Sequence, residues 1–179
     1  MPGSASPPVR PSAGHVYAIA LGSNQPRSRS LTPRALVEQA MTALSRPPFR
    51  LLARSPIIET PPIGPSLRRY ANAAILIEAD AHAPAEMLAL LKRMERAAGR
   101  RPRRRWGARP LDLDIVLWSG GCWTSRLLTI PHPAFRARDF VLIPLRNVAP
   151  HWRDPVSGRT VTQLLARLKK PKALEPRRG

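Results

Sequence analysis

The order of the apolar segments between residues 15 and 118 constrains the fold more than any other feature of this 179-residue chain. Four of these segments alternate or run apolar as strands do, and two repeat apolar residues at helical spacing. They follow one another as strand, helix, strand, strand, helix, strand, which predicts an α+β fold with a ferredoxin-like split βαββαβ core. The predicted strands are residues 15–21, 49–58, 70–78 and 111–118, and the predicted helices are residues 33–44 and 84–98. Thr32 is the predicted N-terminal cap of the first helix, and Gly99 is the predicted C-terminal cap of the second.

The residues that follow predict additions to this core. A short extra strand is expected over residues 127–130, and a short helix over residues 139–148, around Pro144. Thr160 and Gln163 have the spacing of a capping box, which predicts the start of a last helix that ends near Lys169. With these elements added, the chain is expected to form a three-layer αβα arrangement.

Length and composition favour a single globular domain. A chain of this length fits one core, and 43% of its residues are apolar. The Pro- and Ser-rich residues 1–14 are expected to form a flexible leader, residues 15–170 one folded domain, and residues 171–179 a basic tail. We expect no obligate protein partner.

The chain is expected to be cytoplasmic and not bound to a membrane. No apolar stretch approaches the roughly 18 residues that a membrane span needs. The sole cysteine, Cys122, has no partner for an internal disulfide, which agrees with a reducing compartment. One cysteine also cannot build a thiolate metal cluster.

The excess of positive charge predicts a polyanionic partner. The chain has 30 Lys and Arg against 11 Asp and Glu, a formal net charge of +19. Six arginines fall within residues 100–109, beside Trp106 and Gly107. Guanidinium groups match phosphate oxygens, so this loop suits a triphosphate, although a nucleic-acid contact or a solvated loop is an equally open interpretation.

Two aspartates directly follow this basic stretch. In the strand LDLDI, residues 111–115, Asp112 and Asp114 alternate with apolar residues. Successive side chains of a strand point to opposite faces, so the two carboxylates share one face and repel each other. A divalent cation, most naturally Mg²⁺ with water and phosphate oxygens, would stabilise the pair. An ordinary amphipathic strand with its polar face in water is the alternative.

The sequence contexts of two further polar residues, His132 and Asn72, are compatible with either a ligand-binding or a structural role. His132 lies between two prolines, an arrangement that stiffens the backbone and suits an imidazole aimed at a ligand. Asn72 lies within an apolar strand, where its amide either satisfies a backbone group or hydrogen bonds the edge of a polar heterocycle. A purely structural role is equally compatible with the position of each residue.

Five motifs, taken in order, resemble the 6-hydroxymethyl-7,8-dihydropterin pyrophosphokinases of folate biosynthesis. Each motif is weak alone, but the ordered set is specific and spans residues 15–150. The most specific block runs from Arg105 and Trp106 to Asp112 and Asp114. The motifs are residues 20–24, 59–64, 70–73, 105–114 and 131–133.

The resemblance implies an enzyme, with residues 15–170 as its single catalytic domain. It would transfer the β- and γ-phosphates of ATP together to the hydroxymethyl oxygen of the pterin and release AMP. ATP would be the co-substrate, two Mg²⁺ ions would be ligated by Asp112 and Asp114, and Arg105 and Arg109 would complete the catalytic set. The pterin would contact Thr60, Pro62, Tyr70, Asn72 and Phe140, and ATP would contact Glu95, Arg105, Arg109, Thr129, His132 and Arg138.

The chain departs from the pattern of that family mainly in its loops. Ile58 stands where the family often has Tyr, and Ala108 and Pro110 replace the usual Pro and Thr. Leu127 occupies a position where an ATP-contacting Arg can occur, and Arg126, one position earlier, is a candidate substitute. These departures concern the loops, and Asp112, Asp114, Asn72 and His132 match the family pattern.

Two other functions are compatible with the sequence. A basic ferredoxin-like RNA-binding module would explain the charge, but the chain has few aromatic residues to stack on bases, and the module leaves the aspartate pair unexplained. A non-catalytic relative is disfavoured by the presence of Asp112, Asp114, Asn72 and His132. Nucleic acid is therefore not the expected partner.

Overall fold

The computed structural model describes residues 14–61, 69–80, 82–99 and 110–170. The basic tail and all of the expected leader except Gly14 lie outside these described residues, as do the site residues Pro62, Arg105 and Arg109. In chain order the elements are β1 (His15–Ser23), α1 (Pro33–Leu44), β2 (Phe49–Arg54), β3 (Ile58–Thr60), β4 (Tyr70–Ala79), α2 (Pro84–Ala97), β5 (Asp112–Trp118), β6 (Trp123–Thr124), β7 (Thr129–Ile130), a 3-10 helix (Phe135–Ala137), α3 (Asp139–Val148) and α4 (Val161–Lys169).

The central sheet has the strand order of a split βαββαβ unit. Its strands lie in the order β2-β4-β1-β5. The short strand β3, which follows β2 in the sequence, also pairs with β4, at residues 70–72. β1 pairs antiparallel with both β4 and β5. This order arises because each crossover helix returns the chain to a strand that is not the neighbour of the one it left. The predicted ferredoxin-like α+β fold is confirmed.

Helices cover both faces of the sheet, which confirms the predicted three layers. On one face α1 and α2 bury residues such as Val37 and Met87 in a core with the odd-numbered residues of β1. On the other face α3 and α4 bury residues such as Leu142 and Leu165 against Ala18. Among the described residues, no helix is long and apolar enough to span a membrane.

Local signals set the ends of the helices as predicted. At the start of α1, the Thr32 hydroxyl accepts a hydrogen bond from the N–H of Ala35 at 3.2 Å. Thr160 and Gln163 exchange two hydrogen bonds, of 3.2 and 2.9 Å, and so form the expected capping box of α4. Gly99 follows α2 with a φ of 89°, a conformation that favours glycine after a helix.

The prediction of one strand over residues 49–58 is wrong, because the structure divides it into β2 and β3. Ser55 and Pro56 lie between the two strands. The N–H of Ser55 donates to the carbonyl of Ala74, and the Ser55 hydroxyl accepts from the N–H of Ala74, both at 2.9 Å. A serine side chain therefore replaces a backbone carbonyl in the ladder, and Pro56 has no N–H to continue it.

The extra strand expected over residues 127–130 is shorter than predicted. Only Thr129–Ile130 forms a strand, and it pairs with Trp123–Thr124 in a separate two-stranded sheet. This hairpin leads into Pro131 and His132. The N–H of His132 donates to the carbonyl of Val116 on β5 at 3.1 Å, so the hairpin holds the His132 segment against the edge of the central sheet.

An ion pair joins the 3-10 helix to the segment before α4. Asp154 is 0% exposed, and Arg136 donates to its two carboxylate oxygens at 2.7 and 2.6 Å. The N–H groups of Val156 and Ser157 also donate to this carboxylate. Burial alone would raise the pKa of Asp154, but the hydrogen bonds from Arg136 and Ser157 outweigh it and lower the pKa to about 2.

Replacing Asp154 with Asn is expected to destabilise the protein at neutral pH by about 2–4 kcal/mol, because it leaves the Arg136 charge without its carboxylate. A lowered folded-state pKa stabilises the fold above the ordinary value of 3.8, and this contribution is lost as the pH falls towards 2. Denaturant unfolding of both proteins between pH 7 and pH 2 measures the difference, most of which should be lost by the acid end. As a control, Glu38→Gln removes the exposed ion pair with Arg54 and should change stability by less than about 0.5 kcal/mol.

Candidate active site

The register of three neighbouring strands brings the predicted polar residues together. Gly22 of β1 is paired with Asn72 of β4 on one side and with Asp112 of β5 on the other. Two residues earlier on β1, Ala20 is paired with Asp114. Because alternate residues of a strand share a face, Asn72 and both carboxylates project towards α3. Residues distant in the sequence thus form a single row across the sheet.

A cleft opens between this row and the start of α3. It encloses roughly 490 Å³ of empty space, part of which is open to solvent. Tyr70 and Phe140 contribute aromatic rings, and the Arg138 guanidinium lies over the Phe140 ring at 5.7 Å from its centroid. The cleft therefore combines apolar and aromatic walls with a few polar groups, as small-molecule sites do. Its lining residues are Ala20, Leu21, Gly22, Ser23, Asn24, Tyr70, Asn72, Asp112, Asp114, Arg138, Phe140 and Val141.

The amide of Asn72 is oriented by a neighbouring strand. Asn72 is 5% exposed, and its Nδ2 donates to the Thr60 hydroxyl at 2.8 Å. A Cβ atom built on Gly22 would lie 3.4 Å from Asn72 Oδ1, which shows that this oxygen faces the open position left by the glycine. The Thr60 contact holds the amide in one orientation, with its carbonyl oxygen on the side of the cleft.

His132 faces the carboxylate pair from outside the edge of the sheet. Its Nε2 lies 3.8 Å from Asp114 Oδ2. Its Nδ1 lies 3.2 Å from the N–H of Ala134 and accepts a hydrogen bond from it. When the ring is neutral, this bond places the proton on Nε2, since a nitrogen that accepts cannot also carry the proton. His132 therefore presents an N–H donor beside Asp114.

The two carboxylates repel each other. Burial raises the pKa of Asp114 above its ordinary value, and the charge of Asp112 raises it further, while His132 and Lys92 act in the opposite direction. Positive charge on this face of β5 would therefore stabilise the two carboxylates in their ionised forms.

The residues present fit a magnesium ion. Among the described residues, no group of three or more His, Cys, Asp or Glu is arranged to hold a metal. Mg²⁺ does not require such a cage, because it keeps several waters and takes one or two carboxylates together with substrate phosphates. Asp112 and Asp114 are hard oxygen donors on one face of one strand, and their repulsion is what a divalent cation would relieve.

Helix α2 supports the same strand from the opposite face. Glu95 is 1% exposed, and its Oε1 accepts a hydrogen bond of 2.8 Å from the N–H of Leu113, the residue between the two aspartates. Lys92 donates to both oxygens of Glu95, at 2.9 and 3.1 Å. Glu95 is not among the residues that line the cleft. Its contact with β5 is to the backbone N–H of Leu113.

The structure brings together most of the predicted site residues that it describes. Tyr70, Asn72, Asp112, Asp114, Arg138 and Phe140 line the cleft. Thr60, His132 and Glu95 contact it indirectly, through Asn72, Asp114 and Leu113 respectively. Thr129 lies apart on β7, with an exposed side chain. Pro62, Arg105 and Arg109 fall outside the described residues.

The sequence did not predict three contributions to the site. Gly22 leaves the floor of the cleft open, Val141 lines its α3 wall, and Lys92 pairs with Glu95. Gly22 carries a signal, because it begins the Gly-Ser-Asn turn at the end of an apolar strand. Val141 and Lys92 have no such signal, since their places depend on how α3 and α2 pack on the sheet.

The fold and the cleft define a ferredoxin-like α+β protein whose main described cleft is lined by a pair of carboxylates on an edge strand. The family model described as 7,8-dihydro-6-hydroxymethylpterin-pyrophosphokinase (HPPK) matches residues 18–150. The chain belongs to this family.

Curated relatives agree with this assignment. The chain is 38% identical over 150 residues to the 2-amino-4-hydroxy-6-hydroxymethyldihydropteridine pyrophosphokinase of Pseudomonas aeruginosa, covering 83% of this chain and 88% of the relative. It is 34% identical over 151 residues to the Methylorubrum extorquens protein of the same name, covering 84% and 91%. The match to the Synechocystis protein of that name is 39% identical over 102 residues and covers 57% of this chain and 52% of the relative.

Solved structures share the fold. Wild-type Plasmodium falciparum HPPK-DHPS superposes with a TM-score of 0.65 at 12% identity. The superposition covers 86% of this chain but only 41% of the Plasmodium chain. This chain therefore spans less than half of that longer protein, and the likeness concerns the fold alone.

Proposed function

We propose that this chain transfers the pyrophosphoryl group of ATP to the hydroxymethyl group of 6-hydroxymethyl-7,8-dihydropterin, giving the pterin diphosphate and AMP, as a step of folate biosynthesis. The observation that carries the proposal is that Asn72 on β4 and the Asp112 and Asp114 carboxylates on β5, the two strands that flank β1, line one cleft. A heterocycle held by the amide then lies beside the carboxylates that would face a polyphosphate.

The pterin would occupy the part of the cleft between β4 and α3. Tyr70 and Phe140 offer aromatic faces for the ring, and Asn72 offers its amide to the polar edge. Thr60 orients that amide by accepting its N–H at 2.8 Å. Pro62 completes the pterin contacts on the strength of its sequence motif alone.

ATP would lie along β5, with its phosphates towards the carboxylates. Arg138 lines the cleft there, and the Nε2–H of His132 would donate to a phosphate oxygen. Arg105 and Arg109 are assigned to the phosphates by sequence. Thr129 would lie near the nucleoside, and Glu95 would support the nucleotide site through β5, because it bonds the N–H of Leu113.

In the reaction, the hydroxymethyl oxygen attacks the β-phosphorus of ATP in line. A bond forms between these atoms, and the bond from the β-phosphorus to the oxygen that bridges to the α-phosphorus breaks. That oxygen leaves with AMP, and the alcohol gives up its proton during the transfer, either to one of the two carboxylates or to solvent. Two Mg²⁺ ions, when held by Asp112 and Asp114, would supply positive charge to the triphosphate. The chain itself positions the two substrates and neutralises charge, and needs no covalent intermediate.

The test is an incubation of the purified protein with ATP, Mg²⁺ and the hydroxymethyl dihydropterin, with nucleotides separated by chromatography. AMP should appear, and it should be absent when the pterin is omitted or when EDTA is added. Release of ADP, or of AMP without the pterin, would contradict the proposal.

The net charge of +19 does not by itself favour a nucleic-acid partner, because the triphosphate of ATP is also a polyanion that basic residues would bind. We also propose a cytoplasmic location, which the lone Cys122 supports. The absence of an obligate protein partner stays a prediction; size-exclusion chromatography of the active protein measures it.

A further inference from the structure

β5 is an edge strand of the central sheet, and it carries both carboxylates. Its inner side pairs with β1, so N–H groups on its outer side need other partners. One of these belongs to Leu113, which lies between Asp112 and Asp114. Glu95 of α2 supplies the acceptor, with Oε1 at 2.8 Å from the nitrogen of Leu113.

This acceptor is a buried carboxylate, which requires compensating positive charge. Glu95 is 1% exposed, and a buried ionised carboxylate is costly unless it is paired and hydrogen bonded. Lys92, one helical turn earlier, places its Nζ at 2.9 Å from one oxygen and 3.1 Å from the other. The Lys92 side chain keeps 36% of its surface exposed, so the ammonium is only partly desolvated.

These contacts link the surface of α2 to β5, from Lys92 through Glu95 to the N–H of Leu113. Leu113 is held on two sides, because its N–H bonds Glu95 and its side chain, 0% exposed, packs in the core with α1 and α2. The carboxylates on either side of Leu113 project to the opposite face, so their spacing depends on how firmly this residue is held. Loss of the Lys92 charge would weaken the hold.

We propose that Lys92 is a positioning residue for Asp112 and Asp114, acting through Glu95 on the backbone N–H of Leu113. The catalytic part of this inference rests on the proposed function, whereas the structural part, the protection of the Leu113 N–H, does not.

The experiment compares Lys92→Met with Lys92→Arg, and uses Arg93→Met as the control. Arg93 is the exposed neighbour on the same helix, and its replacement removes the same unit charge. Amide hydrogen exchange of Leu113 in the ligand-free protein, followed by NMR, should accelerate about tenfold or more in Lys92→Met. The kcat for AMP release should fall about tenfold with the KM for the pterin unchanged. Lys92→Arg should restore both values, and Arg93→Met should match the original chain.

A double-mutant cycle identifies the route of the effect. Glu95→Gln keeps an acceptor for Leu113 but removes the carboxylate charge, so adding Lys92→Met to it should cause little further loss of kcat. A full additional loss in that background would overturn the proposal, as would unchanged Leu113 exchange in Lys92→Met. If the original chain releases no AMP at all, the proposed function fails, and the Leu113 exchange still decides whether Lys92 holds the strand.

Discussion

Replacing Asp114 with Asn will lower the rate of AMP release by about a thousandfold or more, because it removes a carboxylate that would hold Mg²⁺ against the triphosphate. The same change should not lower the melting temperature of the ligand-free protein. Asp114 is partly buried beside Asp112, and its raised pKa reflects burial and this repulsion. A neutral amide of the same shape relieves the repulsion and keeps the packing.

The measurement pairs steady-state kinetics at saturating Mg²⁺ and ATP with thermal unfolding of the ligand-free protein. Asp80→Asn is the matched control. Asp80 is an exposed aspartate that directly follows β4, at the end of that strand away from Asn72 and the cleft. It should leave the rate unchanged. A rate for Asp114→Asn within a few-fold of the original would remove this carboxylate from the site, and a large fall in melting temperature would make its role structural.

Replacing Gly22 with Val will weaken pterin binding by about 100-fold or more, equivalent to roughly 3 kcal/mol, without unfolding the protein. Gly22 lies between Asn72 and Asp112 in the sheet, and a Cβ at this position would lie 3.4 Å from Asn72 Oδ1. The two Cγ methyl groups of valine extend beyond that point into the cleft. Valine has a high propensity for strands, so β1 itself should tolerate it.

A graded series makes this prediction sharp. Gly22→Ala adds a single methyl group at ordinary contact distance from Asn72, so its affinity should fall between those of the original chain and Gly22→Val. Calorimetric titration with the oxidised analogue 6-hydroxymethylpterin measures the affinities, and thermal unfolding measures the fold. Unchanged affinity in Gly22→Val would show that the pterin does not lie over this strand.

Local patterns were sufficient to predict the order of the main elements and the starts of α1 and α4. Thr32 and the Thr160 and Gln163 pair cap their helices as expected, because a cap involves only residues within one turn. The break at Ser55 was not predicted, since a serine hydroxyl that replaces a strand carbonyl is visible only when Ala74 is placed beside it. The hairpin of β6 and β7 was missed in part because strands of two residues are too short for a period to appear.

The candidate site could be predicted only where its residues lie within motifs. Asp112 and Asp114 share a strand face by spacing alone, and the structure places them in a cleft with Asn72. Lys92 and Glu95 have an ordinary helical spacing, and their importance arises from the packing of α2 beneath β5. Contacts between distant elements therefore account for what the sequence could not show.

The central claim is that both the β- and γ-phosphates move to the pterin as one unit. ³¹P NMR of the reaction with Mg²⁺, ATP and the hydroxymethyl dihydropterin tests it directly, because it distinguishes a diphosphate ester from a monophosphate ester. The account predicts a pair of mutually coupled phosphorus signals for the pterin diphosphate, growing in step with the single signal of AMP. A pterin monophosphate signal that grows in step with ADP would contradict it.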